Sequence, residues 1–549
     1  MLKRIKNYCE HILLLTWLKI TKTQNKQSKC QHNQERVCFL LIIFLSTIVM
    51  TPHLEGVDLL RGISFFSQRS QSTDAAREIV GWHPFIHKYD ATKNYVTTAL
   101  TPVYNQSVRP RRIAQALFGT NILTISGSLV DGRGEDDILA DYFGLSQQFQ
   151  STVKLEPLIR NALIDFQLYI GLDSWISGLF FYAHMPAGWT QWNLKIKEDV
   201  FEPGNNTPFP VGYMGPEQIN APFNSFKDAI KGETSFGSIQ GLAFGKIDGP
   251  RAKSGISDIQ LALGWNFILQ ENGHVGLSIR TAIPTGSRPN SEFLFEPILG
   301  NGKHWELGIG FTGHVVIWEK DAEQELAFYT DVHLMHLFNA RQRRSFDLCE
   351  NGFGSRYILT KIFNEVGTST NMGEPLINQT TLTCDVSVDI QVDGVFMFGY
   401  THQGIVFDLG YNGWIRSKEK ITRKQEITQN RFGLKGIQNV VGNFTQSTAT
   451  LVGNNFSDQA AVADPNSPVF INNENIDTRS ARSPLVLTHK LFTHLGYAWE
   501  NDKEEHAIPF IGIGGEIEFE GINEHNSIEP PDKTTMSQWG IWFKLGFAY

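Results

Sequence analysis

The sequence predicts an all-β protein: a transmembrane, up-and-down antiparallel β-barrel of about 12–16 strands, with long loops on one side. Three observations lead there. The first is alternation. Beyond residue 56, stretch after stretch places apolar residues at every second position, the period of a strand with two unlike faces. The second is composition. Only 19% of the 549 residues are Asp, Glu, Lys or Arg, against about 25% in soluble domains, while 12% are aromatic and 49 are Gly. The third is the spacing of connections. Short charged turns (Glu271-Asn-Gly273, 319–324 and 500–505) contrast with long polar ones at 198–235, 339–380 and 421–483. Barrels in outer membranes have this asymmetry.

The elements follow in chain order. Residues 1–36 hold eight Lys/Arg, and Val37–Met50 is a 14-residue uncharged apolar run. A helix needs about 20 apolar residues to span a bilayer, so the run has the size of a signal-peptide core. Residues 1–56 are therefore expected to be a leader, although no small-residue cleavage pattern follows and Thr51–Gly56 is the nearest stretch. Its removal leaves 40 basic and 53 acidic side chains, an acidic mature chain. Residues 57–90, including the run DLLRGISFF, are expected to form a periplasmic segment or an N-terminal plug. Residues 91–549 are expected to be the barrel, with its longest polar loop at 421–483.

Three strands show the pattern best. In Asn161–Leu172 the even positions from Ala162 to Leu172 are all apolar, while Asp165 and Gln167 fall on the other face. In Asp385–Asp393 Val386, Val388, Ile390 and Val392 share one face, and Asp385, Ser387, Asp389, Gln391 and Asp393 the other. In Ser537–Tyr549 Trp539, Ile541, Phe543, Leu545, Phe547 and Tyr549 share one face, with Gln538, Trp542 and Lys544 opposite. Similar stretches lie near 93–104, 120–130, 177–196, 237–247, 256–269, 273–284, 304–318, 323–337, 394–416, 484–499 and 506–520. A tilted bilayer crossing needs 9–11 residues, which these lengths meet.

Periodicity alone does not say which face is inside. Thinly charged polar faces favour an apolar exterior facing lipid. So do aromatics near strand ends (Trp265, Trp305, Trp318, Trp414, Trp499, Trp539, Trp542, Tyr329 and Tyr497). Strand parity then makes Asp165, Gln167, Asp389, Gln391, Gln538 and Lys544 the candidate pore-lining residues. A one-residue slip would turn each of them outward.

The last strand, TMSQWGIWFKLGFAY, resembles the C-terminal strand of Gram-negative outer-membrane β-barrel proteins of the porin or channel type. Phe547 and Tyr549 stand at the terminal aromatic signal, with Tyr549 where that family usually ends in Phe. The resemblance implies insertion by the barrel-assembly machinery. A shorter stretch, Gly255-Ile-Ser-Asp-Ile259 with Ile279-Arg-Thr-Ala-Ile-Pro-Thr-Gly286, resembles the outer-membrane channel family associated with phenol degradation. Ser257 stands where that family has Gly, so the likeness assigns no substrate.

Other candidate chemistry is sparse. Asp131, Glu135 and Asp136 could ligate calcium but lack the spacing of a calcium loop, and Asp136 and Asp137 read better as the cap of the short helix ILADYFGL. His333 and His336 are three apart, which in a strand puts them on opposite faces. Arg341, Arg343 and Arg344 form a candidate basic rim, favouring anionic solutes if they face a pore. Cys349 and Cys384 bracket a long loop and form a candidate disulfide outside the cytoplasm. Asn224–Lys231 reads as a short helix ending at Gly232, a constriction element or a surface helix. No nucleophile-elbow, zinc-protease or phosphate-loop motif occurs, so neither an enzyme nor a metal or cofactor is expected. The net charge of −8 argues against nucleic acid. The expected function is a channel of the cell outer membrane for passive or facilitated diffusion of small solutes. Its expected partners are outer-membrane lipid and the barrel-assembly machinery, and homo-oligomers remain open. The alternative is a structural or adhesive surface barrel whose long loops bind partners.

Overall fold

A computed structural model describes residues 62–549, except 90, 135–136, 205–207, 211–212, 321–323, 350, 352, 366–368, 436–468, 500–506 and 521–535. The expected leader, 1–56, and the middle of the 421–483 loop lie outside the described residues. Twelve antiparallel strands form a closed ring. They are β1 (Tyr95–Val108), β2 (Leu158–Gly171), β3 (Leu179–Asn193), β4 (Ile259–Gln270), β5 (Gly273–Ile283) and β6 (Glu306–Lys320), then β7 (Gln324–Ser345), β8 (Thr381–His402), β9 (Ile405–Arg416), β10 (Val486–Ala498), β11 (Ile508–Glu520) and β12 (Ser537–Ala548). Each pairs with its sequence neighbour, and β1 pairs with β12 to shut the ring.

The apolar set faces outward. Ile541, Phe543 and Leu545 of β12 are exposed, while Trp542 and Lys544 between them are buried in the lumen. The same inversion holds across the ring: Ile164, Leu263, Ile279, Ile309, Leu491 and Ile513 are each about half exposed or more, whereas Asp165, Asp408 and Lys490 are buried. In water such a surface would be a large apolar patch. Facing hydrocarbon it costs nothing, and a closed ring leaves no unpaired backbone edge in the lipid.

Short turns and both barrel termini share one end, where Val96 and Tyr549 exchange backbone hydrogen bonds at 2.8 Å. The long connections pack together over the other end as a cap. A helix, α2 (Pro110–Phe118), buries Ile113, Ala114 and Leu117 there. A four-stranded sheet of Ile138–Leu139, Ile122–Ser126, Gln150–Leu155 and Ile196–Glu202 lies beside it, and Leu359–Phe363 centres a three-stranded sheet. Two expected wall strands are thus corrected. The 120–130 alternation forms a cap strand, and 237–247 forms no strand, because Gly237 and Gly245 take left-handed backbone angles that break the ladder.

Candidate functional site

The lumen is filled by the chain that precedes β1. Ile63 hydrogen-bonds to α2 in the cap. The chain then descends through the ring, forms a one-turn helix, α1 (Ala75–Ile79), and enters β1 at the short-turn end. Side chains of the wall hold it at every level. At the top, Arg69 pairs with Asp393 at 2.5 Å and Glu518 at 3.3 Å. Asp74 caps α1, accepting from the Arg77 amide at 3.3 Å, and Lys490 bridges Asp74 and Glu516 at 2.7 and 2.8 Å. At the other end of α1, Lys544 donates to the carbonyls of Arg77 and Val80, both at 2.8 Å. A short helix leaves its last carbonyls without internal partners, and a lysine from the barrel wall supplies them. Arg280 of β5 pairs with Glu78.

The turn after α1 is fixed by Asp408. One carboxylate oxygen accepts from the Gly81 amide at 2.8 Å and the other meets His83 Nε2 at 2.8 Å. Gly81 has φ +74°, and a Cβ there would collide with the His494 imidazole, so only glycine fits this approach. Below it, the His87 ring stacks on His274 at 4.2 Å, and His314 stacks on Tyr329 at 5.2 Å. A cavity between plug and wall, about 380 Å³ of open space, combines Glu78, Arg280, Asp331 and His333 with the rings of Tyr169 and Phe180.

A second, narrow cavity lies in the cap and has an apolar lining that includes Phe118, Phe143, Phe226, Leu294, Phe353 and Tyr357. Nearby, burial pushes Lys435 down to about 7, with Lys361 adding to it, and burial takes Lys361 to about 8. The Lys435 ammonium sits 3.7 Å above the Tyr213 ring.

Of the candidate pore-lining residues, Asp165, Gln167, Gln391, Gln538 and Lys544 point into the ring and are buried against the plug or other inward side chains of the wall. Gln167 donates to the Arg77 carbonyl at 3.1 Å, and Gln538 donates to Glu518. Asp389 does not join them. It faces outward and pairs with Lys420 at 2.7 Å. The cause is a bulge: opposite β7 the register of β8 shifts between Gln391 and Val388, so the inward set passes from Gln391 and Asp393 to Val388 and Val386.

The basic rim is not assembled. Arg341 is exposed beside Asp385 at 3.2 Å, and Arg343 is exposed over the Phe244 ring. Arg344 turns inward, buried against Glu419, Gln342 and the Phe65 ring. Alternation along one strand separates them. Cys349 and Cys384 form no disulfide. Cys384 is buried with its Sγ 3.6 Å from the Gln342 carbonyl, while Cys349 is exposed near the Glu474 carbonyl. His333 is buried in the lumen, whereas His336 is exposed and contacts the Asp389 carbonyl at 2.9 Å. Asp137 accepts from Ser126 and the Gly134 amide, and Glu135 and Asp136 lie outside the described residues. The expected helix at 224–231 is the single turn Phe226–Ala229, capped by Ser225, and it lines the cap cavity rather than the lumen. Phe547 and Tyr549 are exposed on the outer face at the short-turn end.

The anchors that sequence reading missed are Arg69, Asp74 and Glu78 of the plug, with Asp393, Asp408, Lys490, Glu516 and Glu518 of the wall. The wall residues carried a signal. Each occupies the non-apolar parity of an alternating strand, where a charge otherwise has no partner.

No family model and no curated protein matches the sequence. Among solved structures, the chain is similar to an outer membrane channel from Pseudomonas putida F1, at 8% identity over 84% of this chain and 98% of that one, with a TM-score of 0.31. It is also similar to a deletion mutant of the monoaromatic hydrocarbon channel TodX, at 8% identity over 89% and 97%, with a TM-score of 0.28. A Pseudomonas aeruginosa FadL homologue is similar at 7% identity over 89% and 99%, with a TM-score of 0.25.

Proposed function

We propose that the protein is an outer-membrane channel for small solutes, apolar ones foremost, in which the N-terminal plug is the gate. The observation that carries this reading is the combination of an apolar exterior with a lumen held shut by polar bonds. Arg69, Asp74, Glu78 and the Gly81 amide are tied to the wall by ion pairs and hydrogen bonds. Such bonds exchange with water far more readily than a packed apolar core does, because water supplies the competing partners. The short-turn end is then periplasmic and the cap external. The cap cavity supports the apolar preference, since its lining offers a solute no polar partner.

The test is planar-bilayer conductance together with uptake of a small aromatic hydrocarbon by proteoliposomes, comparing the native chain with Asp408→Asn and Asp393→Asn. Loosening the plug is expected to make discrete conductance steps more frequent and uptake faster. Neither current nor uptake above protein-free membranes, in any of the three, would overturn the channel.

A further inference from the structure

Several basic side chains around the cap end are matched by carboxylates. Arg341 and Lys424 share Asp385, Lys420 meets Asp389, Lys253 meets Glu296 and Arg251 meets Asp248. Arg343, over the Phe244 ring, is one exception among the described residues, and the sector beyond β1 is another. Where β1 leaves the wall after Val108, the chain reads Arg109-Pro-Arg-Arg112, and all three arginines are exposed. Arg111 and Arg112 lie in the first turn of α2, whose apolar face is committed to the cap core, so they stand on the opposite side. No described carboxylate pairs with Arg109 or Arg111.

The neighbouring strand adds to the cluster. Arg160 of β2 lies opposite Gln106 of β1, on the parity of the lipid-facing Ile164 and Phe166, and its Nε donates to Gln106 Oε1 at 3.1 Å. Lys154 and Lys197 lie on the cap sheet beside α2 and share one carboxylate, Glu156, at 3.0 and 2.6 Å. The next acid on that face is Asp199. In register with Arg160 and one step further down, the outward rings of Trp539 and Tyr104 stand 5.7 Å apart; Ile541 pairs opposite Tyr104, and Phe543 and Leu100 face outward further down. An aromatic pair at the edge of an apolar band marks the level where acyl chains give way to headgroups. Arg160, on the outer face of the wall, and Arg109, at the end of β1, therefore stand at headgroup height, with Arg111 next to them in the first turn of α2.

We propose that the Arg109, Arg111 and Arg160 sector binds the phosphate groups of an outer-leaflet lipid headgroup, with Tyr104 and Trp539 against the acyl chains beneath. A planar guanidinium can offer two parallel donors to a phosphate. Exposed arginines that no described carboxylate pairs with, such as Arg109 and Arg111, are stable at a membrane surface when lipid anions neutralise them. The inference rests on the membrane reading above, because it needs the Leu100 and Phe543 level to lie in hydrocarbon.

The test reconstitutes the full chain into vesicles of phosphatidylcholine with a diphosphorylated glycolipid, lipid A, or with its dephosphorylated form. Vesicle flotation is followed by native mass spectrometry of lipid retained through extraction. The native chain is expected to retain the phosphorylated lipid and not the dephosphorylated one. The double variant Arg109→Gln/Arg111→Gln, and separately Arg160→Gln, is expected to lose roughly tenfold or more in retention. Arg341→Gln, whose base is matched by Asp385, is expected to leave retention unchanged. Equal retention by all variants, retention of both lipids alike, or displacement of the lipid by millimolar inorganic phosphate would overturn the site while leaving the channel reading intact. Failure of the native chain to float with either vesicle would overturn the membrane reading and the lipid site with it.

Discussion

Lys544 shows how much one side chain does in this lumen. It closes the last carbonyls of α1 from a strand more than four hundred residues away in sequence. Replacing it with Met leaves the Arg77 and Val80 carbonyls buried without that donor, at a cost of about 1–3 kcal/mol. Hydrogen exchange should then show faster exchange across 75–83 with the amides of β9–β11 unchanged. Equal protection in both proteins would mean that Lys544 does not seat the plug. A second residue-scale expectation concerns pH. Lys435 is held at about 7 in the cap, against 10.5 for a free lysine. Below about 7 the folded and unfolded chains are both protonated. Between there and 10.5 the unfolded chain holds the extra proton, so cap stability rises with pH across that window. Proteolytic resistance of the cap should increase from pH 7 to pH 10, and Lys435→Met should flatten the profile. At this scale the sequence was legible in part. Parity put Asp165 and Lys544 in the lumen, but it could not say that Lys544 would meet the Arg77 and Val80 carbonyls of the plug and Asp165 the His184 ring of the wall rather than water.

At the scale of elements, alternation located the wall strands well, because a ladder exposed to lipid on one side and polar groups on the other enforces period 2 without relief. It failed where that enforcement stops. The bulge in β8 sits near the top of the wall, where the inner neighbours change from the plug to the apolar cap, so Val386 and Val388 turn in and Asp389 turns out. Ile122–Ser126 alternates for a different reason, as part of a half-buried cap sheet. Two substitutions separate these environments. Phe543→Arg on the outer face of β12 should destabilise the barrel by about 2–4 kcal/mol if its level is near the bilayer midplane, measured by reversible unfolding in lipid. Gly81→Ala forces a side chain into a left-handed turn already touching His494. It should cost roughly 1–3 kcal/mol of local stability and raise plug exchange without altering the unfolding of the wall.

For the whole molecule, the ring order was legible because every wall strand pairs with its neighbour in sequence. The filled interior was legible only as one of two alternatives for 57–90, a plug or a periplasmic segment, because residues 62–94 show no strong period and their fit depends on charges distributed over the entire wall. The anchors of that segment lie mostly in its late strands: Asp393, Asp408, Lys490, Glu516, Glu518 and Lys544. Separations of more than three hundred positions make such pairings slow to find. The segment is covalently continuous with β1, and β1 is one side of the final seam. Threading and sealing are therefore coupled: a chain truncated before β10 would keep Asp393, Asp408 and Arg280 against its stopper but lose the grip of Lys490, Glu518 and Lys544.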